Sequence, residues 1–106
     1  MIKVNVLGID SVKQIDIIGH ANYDEYGKDI VCSATSSIVT TTVNAILSFD
    51  KDYIEYIEGK DKFTIKINDC NEIVTKLITN MLNLLKELEN DYPKYIKIKE
   101  EILWWC

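Results

Sequence analysis

Tyr53-Ile54-Glu55-Tyr56-Ile57-Glu58-Gly59-Lys60-Asp61-Lys62-Phe63-Thr64-Ile65-Lys66-Ile67 reads as two strands, 53–58 and 62–67, on either side of a Gly59-Lys60-Asp61 turn. A hairpin in mid-chain rules out a purely parallel sheet. Downstream, Asp69-x-x-Glu72 has the form of a capping box opening a helix. Ile73, Val74, Leu77, Ile78, Met81, Leu84, Leu85 and Leu88 then recur on one helical face. Pro93 ends that helix, and residues 94–103 resume alternation as a last strand. Upstream, Val31, Ala34, Ile38, Ala45, Ile46 and Phe49 recur at helical spacing between about Ile30 and Phe49. The β-branched run Thr40-Thr41-Thr42-Val43 weakens that helix intrinsically, so tertiary packing must hold it.

The first residues form another hairpin: a strand at 2–7, turn chemistry at Gly8-Ile9-Asp10-Ser11, and a strand at 12–19. Residues 21–28 (Ala-Asn-Tyr-Asp-Glu-Tyr-Gly-Lys) are polar and aperiodic, and are read as a loop. The element order is ββαββαβ. The economical solution is an α+β fold, a mostly antiparallel sheet with two helices packed on it.

At 106 residues the chain has the size of a single domain, and 47% hydrophobic content suffices for one core. A formal net charge of −5 argues against direct nucleic-acid binding, which needs clustered Lys and Arg. The N-terminal residues lack a signal-peptide layout, and no segment approaches the ~18 apolar residues of a membrane span. A cytoplasmic protein is expected. Cys32, Cys70 and Cys106 are widely and irregularly spaced, without a CxxC pair or zinc pattern, so free thiols and no metal or cofactor are expected.

The chain has one histidine, His20, at the end of the second predicted strand, and Cys32 falls in the first turn of the first long helix. A thiol there feels the positive end of the helix dipole and unpaired backbone N–H groups, which favour thiolate. A neighbouring imidazolium would lower the thiol pKa further and later donate its proton to a leaving amine. Asp29, just ahead of the helix, is a natural N-cap and a candidate for orienting the histidine. Ser36, four residues after Cys32, shares its helix face and is placed to hydrogen-bond near a nucleophile. On chemistry alone, a packed cysteine and a satisfied histidine explain the same residues.

The wording of the loop resolves this. Gly19-His20-Ala21, then Gly27-x-Asp29-Ile30-Val31-Cys32 and Ser36, resembles the signature of the ribosomal-processing cysteine protease family Prp. Flanking elements, length and element order extend the resemblance over nearly the whole chain. It implies a homodimeric α+β endopeptidase, without cofactor, in which Cys32 and His20 form the catalytic dyad. The implied substrate is a ribosomal protein precursor, the bacterial large-subunit protein L-twenty-seven, whose short N-terminal extension is removed. Ser33-Ala34-Thr35 departs from the small apolar residues common in the family after the cysteine, which bears on fine specificity.

Other residues carry open alternatives. Tyr23, Asp24, Glu25, Tyr26 and Gly27 are either a solvated loop or a flap over substrate. Trp104-Trp105, ahead of Cys106, suit core docking or a dimer contact. Cys70, at the start of the second helix, has no histidine to pair with and reads as structural. Glu87, Glu89 and Asp91 read as the wet end of that helix. Two other functions stay in view: a different thiol hydrolase such as a thioesterase, and a non-catalytic homodimeric binding module in ribosome assembly.

Overall fold

Alternation at the start of the chain becomes two strands, β1 (Ile2–Ile9) and β2 (Ser11–Ile18), paired antiparallel. The computed structural model describes residues 1–9, 11–21, 24 and 29–103. Next come α1 (Ile30–Phe49), β3 (Ile54–Gly59), β4 (Lys62–Ile67), α2 (Glu72–Asp91) and β5 (Ile96–Leu103). The order ββαββαβ and the α+β class are those the sequence predicts. Strands lie in the order β3-β4-β2-β1-β5. Three neighbouring pairs are antiparallel and one, β1 with β5, is parallel. The parallel edge follows from connectivity. Two antiparallel steps make β4 run with β1, and α2 carries the chain back so that β5 runs the same way again.

One row of each strand faces the helices. Ile2, Val4 and Val6 of β1, Ile15 and Ile17 of β2, and Ile65 of β4 pack into one core with Val39, Val43 and Ile46 of α1 and Ile78, Met81 and Leu85 of α2. Each such side chain contributes about 1.5–3 kcal/mol through burial. Contrary to the expectation that no segment approaches a membrane span, α1 is long and apolar enough to cross one by length and composition alone. Its buried positions here belong to the core of the sheet. Thr42 and Val43 are buried, which supplies the tertiary support their weak propensity demands, and Thr42 Oγ1 donates to the Ile38 carbonyl at 2.9 Å.

The structure corrects several expectations. α2 begins at Glu72 with Asn71 as N-cap, its side chain accepting from Val74 N at 2.9 Å, so Asp69 is not the cap and Cys70 precedes the helix. Leu84 and Phe49 are exposed, whereas Leu82 is buried. Glu89 is not merely a solvated helix end. Its Oε2 accepts from Ile98 N at 2.8 Å and occupies a backbone donor on the edge strand β5.

On the other face of the sheet Asp16 and Thr64 are buried cross-strand partners. Thr64 Oγ1 donates to Asp16 Oδ1 at 2.9 Å and Gln14 Nε2 donates at 3.1 Å. A slip of β2 along β4 would take the Thr64 donor from the buried Asp16 side chain and leave it only Gln14 of its own strand. Gly8 also pins register: the β1–β2 ladder shifts between Leu7 and Gly8, and a Cβ there would lie 1.9 Å from the Ser11 carbonyl oxygen.

Candidate active site

Three chain segments meet at one end of the sheet. β2 ends at Ile18, and Gly19 turns the chain with φ +92, a conformation side chains rarely adopt. A Cβ on Gly19 would also come within 2.9 Å of the Met1 carbonyl oxygen. His20 and Ala21 follow at once. α1 brings Cys32 in its first turn, and the β3–β4 turn brings Asp61.

Asp29 is the N-cap of α1 as expected, with Oδ1 accepting from both Val31 N and Cys32 N at 3.0 Å. It is only 7% exposed. The N–H groups expected to remain open at the helix start are therefore taken by a carboxylate. The thiol receives its hydrogen bond from elsewhere: Ala21 N donates to Cys32 Sγ at 3.3 Å. This bond ties the residue after His20 to the nucleophile candidate.

The balance of forces on Cys32 runs opposite to expectation. Burial pushes its thiol above the ordinary value, and the Asp29 carboxylate adds to the rise by charge and by hydrogen bonding. The Ala21 N–H and the chain's α-amino group pull the other way without reversing it. Burial and the Asp29 charge thus favour the neutral thiol over the thiolate.

Cys32, His20, Ser36 and Asp61 line one cleft of about 180 Å³. Ile17 and Phe63, opposite one another on β2 and β4, supply its apolar wall. His20 Nε2 lies 2.6 Å from Asp61 Oδ1, with both side chains about half exposed. The sequence marks Asp61 only as a turn residue and not as part of a site. Its signal lay in strand order: once β2 pairs with β4 and Ile18 faces Lys62, the residue before Lys62 must abut the segment after Ile18.

The structure thus brings four polar side chains together, three of them anticipated. Asp24 is exposed. Tyr23, Glu25, Tyr26 and Gly27, expected to form a substrate loop, lie outside the described residues, as do Trp104, Trp105 and Cys106. Cys70 lies apart from the cleft, its Sγ 3.7 Å from Ser11 Oγ and 3.6 Å from Lys13 Nζ. Among the described residues no cluster of His, Cys, Asp and Glu is arranged to hold a metal ion.

Comparison with known proteins bears on this geometry. The sequence model of the family described as Cysteine protease Prp matches residues 1–97. The chain is 36% identical to the ribosomal processing cysteine protease Prp of Staphylococcus aureus, covering 92% of this chain and 97% of that one. It is 35% identical to the protein of the same name from Mycoplasma genitalium, over 95% and 97% of the two chains. Among solved structures, the S. aureus protease in complex with a covalently linked product peptide superimposes with a TM-score of 0.88 at 27% identity, covering 95% of this chain and 100% of that one. The same protease with a substrate peptide gives 0.82 at 26% identity, with the same coverage.

Proposed function

Since this chain belongs to the ribosomal-processing cysteine protease family Prp, and is a cysteine protease, we propose that Cys32 is its nucleophile and His20 its general base and acid. The proposed substrate is the precursor of the large-subunit ribosomal protein L-twenty-seven, cleaved in the cytoplasm by a homodimer. One observation carries the assignment of residues. His20 and Cys32 open onto the same cleft, and the backbone next to His20 donates to the Cys32 sulfur.

The steps follow from the resting thiol. Substrate enters the cleft and its scissile carbonyl meets Sγ. The thiol proton passes to His20 as the S–C bond forms, because a thiol held above its usual pKa is a poor nucleophile until deprotonated. The imidazolium then protonates the leaving amine, which departs as the mature N-terminus, and the extension stays as a thioester on Cys32. His20 takes a proton from water, which attacks the thioester and frees the extension as a carboxylic acid. Ser36 lines the cleft one turn beyond Cys32, where its hydroxyl reaches the bound peptide or the developing charge.

The test is cleavage of a peptide spanning the precursor junction, followed by mass spectrometry. Cys32→Ala and Cys32→Ser are expected to fold with the wild-type circular dichroism spectrum and yield no cleaved product. Turnover near wild type by either variant would refute the nucleophile assignment.

A further inference from the structure

Asp61 occupies a conformation that glycine adopts most readily and few other residues share. Its φ is +58, in the left-handed region, and it is the only described non-glycine residue with positive φ. Glycine takes this conformation freely, Asp and Asn visit it occasionally, and most other L-residues are disfavoured there by about 1 kcal/mol or more. A non-glycine side chain held in that region invites a search for what it does. Here Asp61 clamps the segment that carries His20 twice. Its carbonyl oxygen accepts from Gly19 N at 2.8 Å, and its carboxylate meets His20 Nε2 at 2.6 Å.

We propose that Asp61 is the positioning residue of this site, holding His20 by Nε2 so that Nδ1 is the nitrogen that exchanges a proton with Cys32. The inference rests on the Cys32–His20 reading above. An ionised carboxylate only accepts, so Nε2 carries the hydrogen and donates to Asp61 Oδ1. Nδ1 is then left with its lone pair, the form a base requires. When Nδ1 takes the thiol proton, the ring becomes an imidazolium with both nitrogens protonated, and Nε2–H still donates to Asp61 Oδ1. Other charges border the pair. Lys60 and Lys62 flank Asp61 in the chain, while Asp29 at the start of α1 and the α-amino group of Met1, ahead of β1, act on Cys32. None of these is the carboxylate bonded to Nε2.

Asp61→Gly separates positioning from structure. Glycine relieves the positive φ but frees the unfolded chain, so the melting temperature should stay within about 2 °C of wild type. Activity should fall about tenfold, at the low end for an orienting partner because the pair is half exposed. The loss should appear in kcat rather than KM. Asp61→Asn, which tolerates the turn and retains an acceptor oxygen, should lie between Asp61→Gly and wild type. Added formate, a small carboxylate, should restore part of the Asp61→Gly rate, and chloride at equal ionic strength should not. Because His20 is the one histidine in the chain, ¹⁵N imidazole spectra report on it alone, and its Nε2 resonance should move in Asp61→Gly.

Wild-type kcat in Asp61→Gly with an unchanged Nε2 resonance would overturn the proposal while leaving the dyad intact. A loss that tracks melting temperature and ignores formate would overturn it too. Cleavage surviving in Cys32→Ser would bring down the dyad, and the positioning role with it.

Discussion

Asp29 serves the helix and burdens the thiol, and two substitutions pull these effects apart. Its Oδ1 accepts two backbone N–H bonds at 3.0 Å in a nearly buried setting. Asp29→Ala removes this acceptor and leaves both donors unpaired. N-cap losses run from about 0.5 to 2 kcal/mol, and burial with two bonds places this one near the top, about 2 kcal/mol. Unfolding entropy near 2.1 cal/mol/K per residue gives roughly 220 cal/mol/K for a chain of this length, so the melting temperature should fall about 9 °C. Asp29→Asn keeps an oxygen acceptor of equal capping rank and should stay close to wild type in stability. It also removes a charge that raises the Cys32 pKa, so the midpoint of Cys32 alkylation against pH should move to lower pH. Calorimetry and iodoacetamide labelling followed by peptide mass mapping measure the two effects. If Asp29→Asn melts as low as Asp29→Ala, the cap is not the hydrogen-bonding device described. An alkylation midpoint that stays put or rises would mean the carboxylate does not act on the thiol.

Other outcomes follow from the same fold. Thr64→Val should cost about 1–3 kcal/mol in urea unfolding, because buried Asp16 loses the donor at 2.9 Å while volume is nearly kept. Leu85→Ala should cost about 2–5 kcal/mol, and Leu84→Ala under about 1 kcal/mol, since Leu85 is fully buried and Leu84 is 38% exposed. Equal costs would contradict the orientation of α2. The Cys32 pKa is raised on folding, so its contribution to stability is full below the unfolded value near 9.0 and lost as pH rises through the folded value. Melting temperature measured from pH 8 to 11 should therefore decline more steeply for wild type than for Cys32→Ala.

Much of this architecture could be read from the residues because local pattern and tertiary environment agree. Period-two alternation in residues 2–7 and 62–67 matches strands with one face on the core, and α1 begins and ends where its spacing indicates. His20 and Cys32 were legible for a different reason, since two short blocks at a fixed gap resemble a family signature. What escaped depends on contacts distant in sequence. The Asp61–His20 pair spans 41 positions and exists only because β2 lies beside β4, which periodicity cannot reveal. Asn71 displaced Asp69 as the cap of α2 because only the folded backbone shows which side chain faces Val74 N. The rise in the thiol pKa was hidden likewise, since helix position argues one way and burial with Asp29 the other.

The pairing of β2 with β4 has a consequence for quality control. Gln14 through Ile18 match Lys66 through Lys62, and the turn beyond Lys62 delivers Asp61 to His20. A slip of a single position would turn Phe63 from the cleft wall to the opposite face and draw Asp61 back by roughly 3.4 Å. Misregistered molecules could keep both strands and both helices, and so pass by circular dichroism, yet lack an assembled site. Active-site titration therefore counts only molecules whose strands are matched residue for residue, and sorts correct from incorrect folds where bulk spectroscopy cannot.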